Sequence, residues 1–225
     1  MHALVFGDLH GHIRAMYARA EQWQRARGHA IEVILQVGDF GVYPVPDRLD
    51  EEKREKYGPG DYASLEHEGW VSPIPTYFCK GNNEDFEALR GPLLPGLHCV
   101  PNGTVRTLGN TRVAFLGGSW SRKSYESAEP KPRHIARAEV ESLYERDFDV
   151  LISHEAPAGL YLPGRSYSVG APPLRTLLEN KKPRLLIHGH HHQFARSRIG
   201  ETEVISLGRF YSERSSGGAF IPLEL

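Results

Sequence analysis

The sequence predicts an α/β fold built around a mainly parallel sheet, on three observations. Short apolar segments recur along the chain, most of them end beside glycine and polar residues, and a segment with helical periodicity separates the first two. A strand, a helix and a second strand in that order are typical of a parallel sheet with right-handed crossovers. With 225 residues, 40% of them hydrophobic, the chain is long enough for one domain with its own core.

The first two strands and the helix between them follow from the apolar pattern. Residues 3–6 are predicted to form a short buried strand, and 7–12 a polar loop. The next apolar side chains fall on one helical face: Ile13, Met16, Tyr17, Ala20 and Trp23. Gly28 is a helix stop signal, and the second strand is predicted over 31–37.

Residues 42–73 differ in character from the segments around them. Prolines interrupt the apolar pattern, and 50–56 is a run of mixed charges that predicts a short exposed helix. We therefore expect a single domain over residues 1–225 with an insertion at 42–73. We interpret the insertion as a lid near the site; the alternative is a surface loop with no role in substrate choice.

The remaining elements are predicted from apolar runs bounded by glycine, proline or polar residues. They are strands at 76–80, 104–108, 112–116, 150–153, 185–187, 195–199, 203–207 and 219–223, and helices at 85–90, 135–146 and 174–180. Gly109 and Asn110 are typical of a tight turn between two paired strands. The last three strands predict an antiparallel end to the fold.

Composition and charge exclude several classes of protein. A net charge of −1 provides no overall positive field that would attract nucleic acid, although a local basic groove stays compatible with it. Cys79 and Cys99 are too few for a disulfide framework, and we expect both to be reduced and buried. No segment approaches the ~20 apolar residues of a membrane span, and the first residues lack the pattern of a signal peptide. We therefore expect a cytoplasmic protein with no membrane partner.

Residues that could bind metal follow five of the predicted strands. They are Asp8 and His10, Asp39, Asn82, His154, and His190 with His192. Because open α/β sheets hold their sites at the carboxyl ends of the strands, we expect these side chains to converge. A single Asp-x-His or Gly-Asp arises by chance, and a single buried histidine is more often a core residue, but five successive strand ends are hard to explain in that way.

The chemistry of this set favours two divalent ions. Two carboxylates, four imidazoles and one amide are too many for one four-coordinate zinc, and there is no thiolate to favour a structural zinc site. Mixed nitrogen and oxygen donors suit Mn²⁺, Fe²⁺, Zn²⁺ or Ni²⁺, with Mn²⁺ as our first choice. Two ions about 3.5–4 Å apart hold the attacking and leaving oxygens of a phosphoryl group and lower the pKa of a bridging water. A metal-bridging hydroxide is thus the expected nucleophile, since the sequence has no Gly-x-Ser-x-Gly motif.

The order of these motifs resembles the calcineurin-like metallophosphoesterase family over nearly the whole chain. The motifs are Asp8-x-His10, Gly38-Asp39, Gly81-Asn82-x-Glu84, His154 and Gly189-His190-x-His192. The resemblance implies a four-layer αββα sandwich of two mixed β-sheets. It also implies two sets of metal ligands, one of Asp8, His10 and His192 and one of Asn82, His154 and His190. Asp39 would bridge the two ions.

One position departs from the family pattern and bears on the substrate. The third motif of the family usually has a histidine where this chain has Asn83, and that histidine is taken to stabilise the transition state or protonate the leaving group. Asn83 cannot be a general acid near neutral pH, although its amide can donate a hydrogen bond to phosphate. General acid catalysis is typically worth ~10²–10⁴-fold, and its loss costs most when the leaving alkoxide is a poor one. Relatives with a substituted third motif often favour phosphodiesters or activated esters, so the resemblance implies a phosphodiesterase. His12 is a second candidate for the general acid that the third motif lacks. The alternative interpretation is that His12 lies at the helix terminus or supports the ligands from behind.

Five weaker candidates could support the ligands or bind substrate: Glu84, His188, His191, Arg122 and Arg165. Glu84 is expected to orient a neighbouring ligand or loop, as carboxylates around metal sites do. For His188 and His191 a supporting or solvent-exposed position is favoured over coordination. Arg122 and Arg165 could bind phosphate. For Arg122 a position on a solvated loop is the simpler interpretation, and for Arg165 phosphate binding and a solvated loop are equally favoured.

Metal-dependent hydrolysis of a phosphate ester is the function that these residues favour. A phosphodiesterase acting on nucleotides or nucleic acid comes first, and a phosphomonoesterase acting on protein Ser/Thr or a nucleotide comes second. A non-catalytic scaffold of the same fold is the alternative outside enzymes, and it would predict lost ligands where this chain keeps all seven. The sequence predicts neither the individual substrate nor the oligomeric state.

Overall fold

The fold alternates strands and helices along the chain, and the computed structural model describes residues 1–212 and 218–225. Within those ranges the strands are β1 (His2–Phe6), β2 (Val33–Gln36), β3 (Thr76–Phe78), β4 (Leu97–Cys99), β5 (Thr104–Leu108), β6 (Thr111–Leu116), β7 (Val150–Ser153), β8 (Leu185–His188), β9 (Ala195–Ile199), β10 (Thr202–Ser206) and β11 (Phe220–Glu224). The α-helices are α1 (Ile13–Arg27), α2 (Glu51–Tyr57), α3 (Tyr62–His67), α4 (Arg122–Tyr125), α5 (Arg137–Tyr144) and α6 (Pro172–Lys181).

Two mixed sheets form the centre of the molecule. The first has the order β11-β1-β2-β3-β4, in which β1 to β4 are parallel and β11 pairs antiparallel with β1. The second has the order β5-β6-β7-β8-β10-β9, with a parallel centre from β6 to β10 and an antiparallel strand at each edge. The predicted parallel sheet is therefore present twice, and the final strands pair antiparallel with β10 and with β1.

Three apolar layers separate the sheets from each other and from the helices. Val5 and Ile187 lie in the layer between the two sheets. Met16 of α1 belongs to the layer outside the first sheet, and Leu177 of α6 to the layer outside the second. Consecutive residues of β1 point to opposite faces, so Leu4 packs under α1 while Val5 faces the other sheet. This is the αββα sandwich that the sequence resemblance implies, and that prediction is confirmed.

Local signals confirm several of the predicted elements. Gly28 ends α1 in the left-handed conformation with φ 68°, and its N–H donates to the carbonyl of Gln24. The charged run forms α2, whose first N–H groups are capped by Asp50 through a hydrogen bond from the N–H of Glu52. β5 and β6 pair antiparallel around Gly109 and Asn110.

The predicted helix at 85–90 is wrong. The structure has a single 3₁₀ turn at Ala88–Arg90. The side chain of Asp85 accepts hydrogen bonds from the N–H groups of Glu87 and Ala88, as at a helix start, but Gly91 is extended before Pro92 and ends the turn at once.

Three short elements were not predicted, and one of them changes the interpretation of the insertion. These are β4, α3 and α4, of three, six and four residues. Tyr62 and Leu65 of α3 are buried in the core beside α1, so residues 42–73 are more than a surface loop. Both cysteines are free; Cys79 is buried, whereas Cys99 is half-buried rather than fully buried.

The loops that follow the parallel strands of both sheets meet at one edge of the sandwich. The N–H of Phe210 donates to the carbonyl of Asp8 at 2.9 Å, and the N–H of Gly189 donates to the carbonyl of His154 at 3.2 Å. These bonds place the strand ends of the two sheets around one common site. In the described part of the chain no helix has both the length and the apolar character that crossing a membrane requires.

Candidate metal centre

Four residues of the strand-end loops have left-handed backbone conformations. His10, Asp39, His190 and His192 have φ angles of 46°, 54°, 66° and 57°. Such conformations are unfavourable for residues other than glycine and persist only where the surroundings enforce them. Here the N–H groups of Leu9 and His10 both donate to the carbonyl of Asp39, so the loops after β1 and β2 hold each other in place.

Two glycines allow the loops to approach each other closely. A Cβ on Gly38 would lie 2.6 Å from Nδ1 of His154, and a Cβ on Gly189 would collide with Oδ1 of Asp8. Gly38 also has φ +97°, a conformation that other residues rarely adopt. The glycines of the Gly-Asp and Gly-His motifs therefore have a steric reason to be there.

The first group of donors lies where β1, β2 and β8 end. One donor atom from each of Asp8, His10, Asp39 and His192 lies within 4.8 Å of the others. Nε2 of His192 is 3.0 Å from Oδ2 of Asp8 and 3.1 Å from Nε2 of His10. Two unprotonated imidazole nitrogens repel each other at this distance unless a proton or a cation lies between them. This donor set fits a divalent metal ion.

Asp39 lies between two histidines, with one oxygen facing each. Its Oδ2 is 3.8 Å from Nε2 of His10, and its Oδ1 is 3.6 Å from Nε2 of His154. Asn83 donates its backbone N–H to Oδ1 at 2.7 Å and its side-chain amide to Oδ2 at 2.6 Å. Asn83 thus fixes the orientation of the Asp39 carboxylate, and one of its two side-chain N–H groups is used in doing so.

His154 is held in the tautomer that suits a metal ligand. Its Nδ1 donates to the carbonyl of Val37 at 2.9 Å, which leaves Nε2 facing Oδ1 of Asn82, also at 2.9 Å. Neutral Nε2 and an amide oxygen are both acceptors, so a cation between them would satisfy both. The donors on this side of Asp39 therefore also fit a divalent ion.

Burial and charge set the protonation states of the site. Burial lowers the pKa of His10 and of His190 to about 4. Burial acts to raise the pKa of Asp8 and Asp39, but the neighbouring histidines outweigh it and hold both pKa values below their usual range. Neutral imidazoles and ionised carboxylates are the forms that bind metal. His154 differs: burial lowers its pKa, the charges of Asp39 and Asp8 raise it more, and a proton then stands where a cation would bind.

Glu84 lies beneath the loop that carries Asp39. Its carboxylate is 5% exposed and accepts four backbone N–H groups, those of Phe40 at 2.7 Å, Gly41 at 3.0 Å, Val42 at 3.0 Å and Gly81 at 3.4 Å. This network ties the loop after β2 to the loop after β3. Glu84 therefore orders the backbone around the ligands without facing the donor atoms.

Glu155 is part of the site, although the sequence analysis did not select it. Its Oε1 accepts a hydrogen bond from Nε2 of His191 at 2.9 Å, and its Oε2 is 3.7 Å from Nε2 of His190. The N–H of Trp120 also donates to Oε2 at 2.9 Å. Glu155, His190 and His191 form a second group whose donor atoms lie within 4.8 Å of one another. The available signal was a carboxylate directly after His154 at the end of β7.

His190 links the two groups of donors. Its N–H donates to both carboxylate oxygens of Asp8, at 3.0 and 3.1 Å. Its ring centroid lies 4.9 Å from that of His154, while its Nε2 faces Glu155. The structure therefore brings His190 beside His154, the residue with which the family resemblance groups it, and turns the Nε2 atom towards Glu155.

Two candidate histidines lie behind or beside the donors. His188 is buried, and its Nδ1 donates to the carbonyl of Gly189 at 3.1 Å. Its ring lies 6.2 Å from that of His191, and burial lowers its pKa to about 4. His12 is half-buried at the N-cap of α1 and belongs to neither donor group. Its catalytic role stays a prediction.

The two candidate arginines have different surroundings. Arg122 lies on the exposed surface of α4, where its guanidinium donates to Glu126 at 2.9 Å. Arg165 donates to the side chain of Gln193 at 3.2 Å. Since Gln193 directly follows His192, Arg165 is connected to the donor loop, whereas the partner of Arg122 is an exposed carboxylate directly after its own helix.

The insertion contributes an aromatic side chain to the site. Tyr57 at the end of α2 stacks on His10, with the ring centroids 3.7 Å apart and the planes 4° from parallel. The N–H of Asp61 donates to the carbonyl of Gly11 at 2.8 Å, which anchors the insertion to the loop after β1. No sequence pattern singled out Tyr57, because its contact with His10 is made only in the folded chain.

Replacing Asn83 with alanine is expected to weaken metal binding by about 10- to 100-fold, because Asp39 loses the amide that orients it. Affinity is measured by calorimetric titration of the metal-free protein with Mn²⁺. The matched control is Asn180→Ala, which removes an exposed amide on α6 that donates to the carbonyl of Thr176. Equal affinity in Asn83→Ala and in the wild type would show that Asn83 does not support the Asp39 carboxylate.

Comparison with known proteins agrees with this geometry. Residues 1–194 match the family model of the calcineurin-like phosphoesterases. The chain is 23% identical over 257 residues to a lariat debranching enzyme of Entamoeba histolytica, an alignment that covers 99% of this chain and 73% of the relative. A lariat debranching enzyme of Drosophila melanogaster is also 23% identical, over 85% of this chain but only 43% of the relative.

A solved structure shares the fold at low sequence identity. The crystal structure of TT1561 of Thermus thermophilus aligns with a TM-score of 0.60 and 17% identity, over 92% of this chain and 89% of that one. The residues that match the family model include every strand end that carries a donor up to His192. The chain therefore belongs to the calcineurin-like phosphoesterase family and is a metal-dependent phosphoester hydrolase.

Proposed function

We propose that the chain is a phosphodiesterase that uses two divalent metal ions, Mn²⁺ first among them, to cleave nucleotide or nucleic acid diesters. The observation that carries the proposal is the position of Asp39, which presents one oxygen to His10 and the other to His154. A carboxylate between two donor sets is the arrangement that a pair of metal ions requires.

The donors divide into two sets around Asp39. Asp8, His10 and His192 would hold one ion, and Asn82, His154 and His190 the other. The short distances within the first set and between His154 and Asn82 support this division. When bound, a metal pair polarises the phosphoryl group and lowers the pKa of a coordinated water.

The protein's own residues position these donors. Asn83 and Glu84 fix the carboxylate of Asp39 and the loop that carries it. Glu155 holds His191 and faces His190, so it orients the histidine-rich loop. Residues of this kind around metal ligands typically contribute about tenfold or more to metal affinity or activity.

Asn83 supports a diester rather than a monoester substrate. Its amide is bound to Asp39, and an amide cannot protonate a leaving group near neutral pH. The lack of an acid at this position costs most for a poor leaving group, and the resemblance associates a substituted third motif with diesters. The names of the two curated relatives, both lariat debranching enzymes, support a nucleic acid substrate.

The test is a paired assay in Mn²⁺ with bis-p-nitrophenyl phosphate as the diester and p-nitrophenyl phosphate as the monoester. We expect a higher kcat/KM for the diester. The Asp39→Asn variant, purified in the same way, is expected to turn over neither and so excludes a contaminating enzyme.

Two results would contradict the proposal. A preference for the monoester that Asp39→Asn removes would identify a phosphomonoesterase. His12 would then be the first residue to test as an acid, with a monoester of a poorer leaving group. No turnover with Mn²⁺, Fe²⁺, Zn²⁺ or Ni²⁺, together with no retained metal, would favour the non-catalytic scaffold.

A further inference from the structure

Arg209 is a cation beside the metal centre that the proposed chemistry does not use. It lies just after β10, and the N–H of the next residue, Phe210, donates to the carbonyl of Asp8 at 2.9 Å. Phe210 is fully buried. The backbone of Arg209 is therefore fixed to the loop that carries the first metal-ligand candidate.

Two tyrosine rings hold the guanidinium group of Arg209. Its Cζ lies 5.1 Å from the ring centroid of Tyr57 and 5.4 Å from that of Tyr211. His10 covers one face of Tyr57 at 3.7 Å, so the guanidinium is one aromatic ring removed from a metal-ligand candidate. Cation–π contacts of this kind orient the guanidinium plane without using its N–H groups.

The N–H groups of this guanidinium have no anionic partner among residues 1–212 and 218–225. Within those ranges the guanidinium contacts the two aromatic rings and makes neither an ion pair nor a hydrogen bond. Arg112 and Arg175, by contrast, both pair with carboxylates. A half-buried guanidinium with this geometry matches the paired oxygens of a phosphate group.

We propose that Arg209 binds a backbone phosphate of a single-stranded polynucleotide, next to the phosphodiester that lies at the metal centre. The proposal rests on the proposed function, because it assigns the substrate a second phosphate. Arg209 and His10 both contact the ring of Tyr57, at 5.1 and 3.7 Å, so a phosphate bound by Arg209 would lie near the metal centre but outside its donor set. Since the net charge of the chain is −1, attraction for a polyanion has to come from local cations such as this one.

The test compares two substrates that differ by one phosphate, a dinucleoside monophosphate and the trinucleoside diphosphate that extends it. In the wild type we expect kcat/KM to favour the longer substrate. In Arg209→Ala this preference is expected to fall about ten- to a hundredfold, through KM. Arg209→Lys keeps the charge but loses the planar pair of donors, so it should recover part of the preference.

Two controls are needed. The first shows whether any loss of positive charge has the same effect, and the second shows whether Arg209 binds a terminal phosphate instead of a backbone phosphate. Arg25→Ala removes an exposed guanidinium that pairs with Glu21 on α1, and it should leave the preference unchanged. A dinucleoside monophosphate with an added terminal phosphate tests a phosphate end in place of a backbone phosphate. If only that substrate shows an Arg209-dependent preference, the backbone proposal is overturned.

Binding without turnover provides a separate measurement. In EDTA, the anisotropy of a fluorescent single-stranded oligonucleotide should show weaker binding to Arg209→Ala, with the slope of log K against log salt reduced by about 1. If the wild type cleaves no diester, the proposed function fails, and this binding difference still decides the role of Arg209. An unchanged preference with unchanged binding, or equal losses on both substrates, would overturn the inference.

Discussion

Asp39→Asn is expected to lower the turnover of a phosphodiester by about a thousandfold or more while the protein stays folded. One oxygen of the carboxylate lies 3.8 Å from Nε2 of His10, and the other lies 3.6 Å from Nε2 of His154. The negative charge therefore acts on the donors on both sides of Asp39. In the proposed two-metal site Asp39 would serve both ions, so its loss is expected to remove several kcal/mol of transition-state stabilisation, and each ~1.4 kcal/mol is a factor of ten in rate.

The amide of the variant also conflicts with the hydrogen bonds around it. Asn83 donates to both oxygens of Asp39, and an amide nitrogen in one of those positions would meet a donor instead of offering an acceptor. The orientation of the side chain is therefore lost together with its charge.

Turnover of bis-p-nitrophenyl phosphate and the amount of Mn²⁺ retained per chain, measured by atomic emission, check this prediction. Asp47→Asn is the matched control, because the Asp47 side chain is 92% exposed. Circular dichroism shows whether each variant is folded. Wild-type turnover in Asp39→Asn with undiminished metal content would mean that Asp39 does not lie between two ions.

Glu84→Ala is expected to lower the free energy of unfolding by about 3–5 kcal/mol, because it leaves buried backbone donors without an acceptor. The carboxylate accepts the N–H groups of Phe40, Gly41 and Val42 in the interior of the molecule. Urea unfolding of the metal-free protein measures the change. Glu66→Ala, on the exposed side of α3, is the control, and an equal effect of the two substitutions would show that Glu84 does not hold the loop.

The pH dependence of stability tests the same residue. Burial raises the pKa of Glu84 to about 7, and the charge of Asp39 acts in the same direction, against an ordinary value of 4.5. Between these two pH values the folded protein binds more protons than the unfolded chain, so this group makes the free energy of unfolding fall as pH rises. The difference in stability between the wild type and Glu84→Gln, measured in EDTA, should change over that range and level off above it. A constant difference would mean that the pKa of Glu84 is not raised.

Most of the candidate site residues that could be predicted from the sequence lie at the ends of strands. Apolar runs that end in glycine and a polar residue locate the carboxyl ends of parallel strands, and the sheet topology then brings those ends together. Asp8, Asp39 and His154 were selected as candidates in this way, without knowledge of the pairing of the sheets. Their convergence follows from the strand order, which places β1 beside β2 and β7 beside β8.

Residues that act through packing could not be predicted from local pattern. Tyr57 lies at the end of a charged helix, and only the folding of the insertion brings its ring onto His10. Arg209 lies in an ordinary strand-end segment, and its significance depends on the ring of Tyr57 from the distant insertion as well as that of Tyr211 two residues later. Three-residue β4 is too short to show a periodic pattern, and its pairing with β3 is what defines it.

The four left-handed backbone conformations at His10, Asp39, His190 and His192 affect how stable these loops are before metal binds. Each costs about 1–3 kcal/mol, so together they approach the whole stability of an ordinary domain, about 5–15 kcal/mol. The sheets can assemble from their apolar strands while this edge still opens and closes. We therefore expect bound metal to stabilise this edge, so that amide hydrogen exchange in these loops slows far more on metal addition than exchange in β7 or β8.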